Sequence, residues 1–174
     1  MKTLPYTLTA LLGMTAIVGV QAADQKMPSR VEVNFVEPEN FTDAADGQRG
    51  SDFGREKKLD ELRDYLVRRA PSFIPQGQRL EITITDVDLA GEIEPWLSPQ
   101  AHDVRLIKDI YHPRIDLSYK LIDAATGAVV KEAKSRLRDI TFNMNIYPNR
   151  NDPRVYEKGL LDNWLRGEFG RAKK

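Results

Sequence analysis

The chain has 174 residues, 41% hydrophobic and 30% charged, with 26 basic side chains balancing 26 acidic ones and no cysteine. The missing thiol excludes disulfides, thiolate zinc sites, iron–sulfur clusters and a cysteine nucleophile. The balanced charge excludes a whole-molecule attraction to nucleic acid or to an anionic membrane.

Met1 and Lys2 give a short positive start, and the apolar run LTALLGMTAIVGV follows. The run ends at Val20-Gln21-Ala22, with small or apolar residues at the two positions that signal peptidase reads. The pattern predicts a signal peptide over residues 1–22, cut after Ala22, and a single domain over residues 23–174. The run is too short and glycine-interrupted for a membrane span, which needs about 20 apolar residues. A periplasmic or secreted protein is expected. With no cysteine to carry a lipid at the cut, the expectation is that the chain is not a lipoprotein.

Residues 30–36, RVEVNFV, alternate Val31, Val33 and Phe35 with polar partners, the pattern of a half-buried strand. A long loop rich in Pro, Gly, Asp and Asn follows. Ser51 or Asp52 then caps a predicted helix in which Leu59, Leu62 and Leu66 recur at helical spacing, until Pro71 stops it. The second strand, RLEITITDVDL, points Leu80, Ile82 and Ile84 one way, but Val87 and Leu89 fall one residue out of phase. A bulge near Thr85 restores the facing and turns Asp86 and Asp88 outward. Residues 91–113 are the least regular, and the apolar cluster Val104 to Tyr111 fits a short strand or a helical turn equally well.

A hairpin follows, in which Ile115, Leu117, Tyr119 and Leu121 alternate with polar residues ahead of the turn DAATGA. A three-residue loop, Ala125 to Gly127, sets Lys120 against Glu132 and Asp116 against Arg136, with Leu117 and Tyr119 opposite Ser135 and Ala133. Asp152 and Pro153 then open a helix whose apolar stripe is Tyr156, Leu160, Leu161, Trp164, Leu165 and Phe169. These elements make an α+β fold: a two-layer sandwich whose mixed, mostly antiparallel sheet of about four strands carries two helices on one face.

The stretch TITDVDLAGEIEPW concentrates Asp86, Asp88, Glu92 and Glu94. Read as a calcium loop starting at Asp86, it puts Ala90 and Leu97 where two carboxylate ligands belong, so that reading fails. A glycosidase-like pair needs one carboxylate desolvated over a cleft, which nothing here requires. The simplest reading is an acidic strand end facing solvent, with no metal and no cofactor. An alternative acidic site adds His102 and Asp103 to Asp86 and Asp88, giving a hydrolase or metal-dependent enzyme. Against it, no His-Glu-x-x-His, Gly-x-Ser-x-Gly or phosphate-cradling glycine loop occurs.

Charge is unevenly distributed, with an acidic excess over residues 23–130 and a basic excess beyond. Within the basic part, Lys134, Arg136 and Arg138 fall on one strand face at period two. They form either a strip for an anionic partner or a face solubilised by charge. Trp96, between Pro95 and Leu97, is a candidate anchor for a partner.

Five blocks in order, VEVNFVEPENFTD, ITDVDLAGEIEPW, YHPRIDLSYKL, RLRDITF and YEKGLLDNWLRGEF, resemble a family of exported proteobacterial proteins known as domain of unknown function 3016. The resemblance implies an exported single-domain protein with no assigned activity, and it carries over no functional residues. The leading expectation is a non-enzymatic envelope binding or assembly module, using Lys134, Arg136, Arg138 and Trp96 toward an envelope protein or anionic lipid. No nucleic acid partner is expected.

Overall fold

The alternating run near the start forms strand β1 (Val31–Phe35), which buries Val31 and Val33 and leaves Glu32 and Asn34 exposed between them. The computed structural model describes residues 29–44, 52–94, 96, 104–147, 149 and 151–170. The expected signal segment, residues 1–22, therefore lies outside the described residues, as do Ser51, His102 and Asp103. Helix α1 (Asp52–Arg69) buries Leu59, Leu62 and Leu66 and gives way to a 3-10 turn over Ala70–Ser72, where Pro71 removes a backbone donor. The chain returns as β2 (Gln78–Asp88), parallel to β1, with Val31 beside Leu80 and Phe35 beside Ile84. Parallel neighbours need a crossover of this length, and α1 supplies it.

Short strands β3 (Glu92–Ile93) and β4 (Arg105–Leu106) pair with each other, which settles the 104–111 cluster as partly strand. Strands β5 (Arg114–Asp123) and β6 (Val129–Arg138) form the hairpin, and helix α2 (Val155–Phe169) closes the fold. The main sheet runs β1-β2-β5-β6, with β5 antiparallel to both of its neighbours, β2 and β6. This is the expected α+β architecture.

The inner face of the sheet meets both helices. Leu80, Ile82, Ile84, Val87, Ile115, Leu117 and Tyr119 pack against Leu62 and Leu66 of α1 and Leu161 and Leu165 of α2 in one cluster of buried side chains. Tyr119 contacts the rings of Trp164 and Phe169 edge-on, at 5.7 and 5.3 Å between centroids. Asp162 joins the helices: it accepts from Tyr65 Oη at 2.7 Å and from Arg69 Nε at 2.9 Å.

The ladder between β2 and β5 shifts register between Ile84 and Asp86, leaving Thr85 as the extra residue. That shift returns Val87 and Leu89 to the core, as the phase break in the sequence requires. In the hairpin, Lys120 pairs with Glu132 and Asp116 with Arg136, as expected. The loop differs from expectation. Ile122 pairs with Val129, so the turn is one residue longer than Ala125 to Gly127, and a second register shift compensates for it. Asp123 organises the turn, its Oδ1 accepting from the Ala125 and Thr126 amides and the Thr126 hydroxyl, while Gly127 takes φ +74°. Helix α2 also starts later than expected: Asp152 Oδ1 accepts the Arg154 amide at 2.9 Å, one turn ahead of the helix proper.

Candidate functional site

Strand pleat sends every second side chain to the sheet face away from the helices, and the register places these residues in transverse rows. One row runs Asn34, Thr83, Ser118, Lys134, and the next runs Glu32, Glu81, Lys120, Glu132. Two further rows are Asp86, Asp116, Arg136 and Asp88, Arg114, Arg138. The small residues Thr83 and Ser118 occupy the two central strands, while Glu81, Lys120, Glu132 and Lys134 rise around them. The result is a groove of about 450 Å³ on the outer face.

The groove carries hydrogen-bonding groups that have no partner among the described residues. Lys120 and Glu132 sit opposite each other without closing an ion pair, and the hydroxyls of Thr83 and Ser118 and the Lys134 ammonium likewise have no partner among the described residues. The neighbouring rows are satisfied. Arg136 Nε meets Asp116 Oδ2 at 3.2 Å, with the Arg136 side chain 81% exposed. Arg138 Nε donates to Nε2 of His112. Lys134, Arg136 and Arg138 therefore share one exposed face, as the period-two spacing predicts, and Arg136 and Arg138 are steadied by neighbours from β5 and its approach.

The four carboxylates of residues 86–94 are held separately. Asp86 lies directly across from Asp116, a like-charge pairing that costs stability if uncompensated. Thr42 compensates it, donating both its amide and its hydroxyl to Asp86 at 2.7 Å. Asp88 pairs with Arg114 at 2.9 Å. Burial, with Asp43, Asp86 and Glu92 nearby, nevertheless pushes its carboxyl above the ordinary range against the pull of Arg114. Glu92 accepts the amide of Ile93, and Glu94 is bound by Lys108 and Tyr111, whose hydrogen bonds hold it below the usual carboxylate range. Among the described residues no three acidic or histidine side chains gather as a metal site. Trp96 is 73% exposed and makes no ring contact or hydrogen bond among the described residues.

Two features escaped sequence reasoning. Arg105 bonds both Asp43 and the carbonyl of Gly91, so the irregular segment is clamped to the end of β2. Gly91, at φ +80°, lies where a Cβ would come within 2.7 Å of the Leu106 carbonyl oxygen. Glu157, on the first turn of α2, is 1% exposed and accepts the Ala90 amide at 2.8 Å through Oε1, while Oε2 has no partner. Burial pushes its carboxyl above the ordinary range, opposed by the Ala90 amide and by Arg154 and Arg105. The signal in the sequence was its i−4 position relative to Leu161, inside the apolar stripe.

The fold and this face together define a two-layer α+β protein with an open, polar sheet surface and no helix among the described residues long and apolar enough to cross a membrane. The model of the family described as "Protein of unknown function (DUF3016)" matches residues 29–167, and the chain belongs to that family. No curated protein matches it. A solved structure described as a "putative lipoprotein from Caulobacter crescentus CB15" is similar at 17% identity, over 80% of this chain and 93% of its own, with a TM-score of 0.25. That description, which is of the neighbour, conflicts with the expectation that the chain is not a lipoprotein, and that expectation is withdrawn. The expectation was read from residues 1–22, which lie outside the described residues.

Proposed function

We propose that this protein is a non-enzymatic binding module that recognises an acidic segment of another protein across the outer face of its sheet. The observation that carries the reading is the groove floored by Thr83 and Ser118, whose hydroxyls, with the Lys120, Glu132 and Lys134 side chains, have no partner among the described residues. Uncommitted donors and acceptors in a concave site are what a ligand's polar groups replace water on. Beside the groove, Arg136 and Arg138 extend the cationic strip from Lys134, so the electrostatic bias is toward a negatively charged partner.

Crosslinking in cells of the native host followed by affinity capture tests this. The wild-type protein is expected to recover a specific partner that the variant K134E/R136E/R138E does not. A captured set unchanged by the triple reversal reduces the strip to solubilising surface. The reversal is a fair test because these side chains are exposed and surface ion pairs contribute only about 0–1 kcal/mol each.

A further inference from the structure

Strand β6 is one of the two edge strands of the main sheet and is ten residues long. Among the described residues none of its backbone groups bonds outside the β5 ladder, apart from that ladder's own pairing. An edge strand has half its amides and carbonyls pointing away from its neighbour, a template for one more strand. Charged side chains on such an edge repel apolar strands. The same charges select a complementary one.

We infer that the partner supplies an extended acidic segment that adds to β6 as a fifth, antiparallel strand, an inference that rests on the binding-face reading above. The cations Lys134, Arg136 and Arg138 recur at the period of a strand, on the edge that also offers free main-chain groups, and only an extended segment engages both together. Residues directly opposite in such a pairing have Cβ atoms about 4.5–5.5 Å apart, within reach of ion pairing. The sequence of β6 then dictates the guest. Carboxylates belong opposite Arg138, Arg136 and Lys134, and a cation belongs opposite Glu132. The intervening positions lie beside Leu137, Ser135 and Ala133, which are half-buried and suit apolar or β-branched side chains. Read antiparallel, the guest pattern is acid-apolar-acid-apolar-acid-apolar-base. A parallel guest needs the reverse order, so the single acid Glu132 makes the site directional.

The test is fluorescence anisotropy with a labelled peptide of sequence EVETEVK. We expect N-methylation of the alternate amides that face β6 to weaken binding at least about tenfold, since it removes main-chain hydrogen bonds contributing about 1 kcal/mol each. The isomer EEEVTVK, identical in composition with its acids contiguous, is expected to weaken binding comparably. K134E/R136E/R138E loses EVETEVK and gains KVKTKVK, in which the three acids are inverted and the lysine opposite Glu132 is kept, and that gain shows the variant folded. If the methylated or contiguous peptides bind as well as EVETEVK, strand addition is overturned while the charged binding face stands. If no peptide binds, strand addition is again overturned, and capture from cells separately decides whether the face binds at all.

Discussion

Replacing Glu157 by Gln and by Ala separates two contributions that the fold ties together. Glu157 holds the Ala90 amide at 2.8 Å in a site where its side chain is almost wholly buried. Alanine leaves that amide without a partner, which costs about 1–3 kcal/mol. It also empties the space of one buried methylene, roughly 0.8 kcal/mol, and of the carboxyl group. Partial relief from removing a buried acid offsets some of this, so Glu157→Ala is expected to lose about 1–3 kcal/mol in urea unfolding at pH 7. Glutamine keeps an acceptor for Ala90 and nearly the same volume but removes the ionisable group, and is expected within about 1 kcal/mol of wild type, on the stable side. The pH dependence gives the sharper contrast. A carboxyl whose pKa is raised by folding binds its proton more tightly folded than unfolded. Wild-type stability therefore falls as pH rises from the unfolded glutamate value of about 4.3 through the raised folded value. Glu157→Gln lacks this loss, so its advantage over wild type grows across that window toward neutrality. If Glu157→Gln instead proves several kcal/mol less stable at pH 7 and equal to wild type in acid, the side chain is an ionised partner of Arg154 and Arg105, and the reasoning is refuted.

Gly91→Ala forces a Cβ onto the Leu106 carbonyl at a positive φ, and about 1–3 kcal/mol of stability should be lost, with hydrogen exchange rising first at β3 and β4. Asp162→Ala removes the acceptor shared by Tyr65, Arg69 and Arg166 and is expected to destabilise by about 1.5–3 kcal/mol in thermal or urea unfolding. Burial raises the Asp162 pKa, but the bonds from Arg69, Tyr65 and Arg166 outweigh it and leave the pKa below the ordinary range. Its contribution is therefore present above the unfolded value of about 3.9 and lost as pH falls through the lowered folded value, a loss that an acid titration of Asp162→Asn should not show.

Local periodicity carried most of the architecture. The one-residue phase break between Ile84 and Val87 announced a bulge, because a pleated strand cannot otherwise keep both halves of an apolar set on one side. The spacing about DAATGA pointed to the pairing of Asp116 with Arg136 and Lys120 with Glu132, since that register matches opposite charges and sets small residues against large ones. The longer turn escaped, because a bulge on the far side of the loop absorbs one residue without disturbing the pairing beyond it.

The cationic strip was legible for the same reason as the strands: Lys134, Arg136 and Arg138 are neighbours along one chain at the strand period. The groove beside it was not, because Thr83 and Ser118 lie on different strands and meet only when β2 pairs with β5. Nor could any local rule pair Glu157 with the Ala90 amide, or join Asp43 to Arg105 across 62 positions. What lies within one element follows from backbone geometry acting on adjacent residues, so the sequence alone determined it. What lies between elements depends on which surfaces a whole core brings together, and only the tertiary structure decided it.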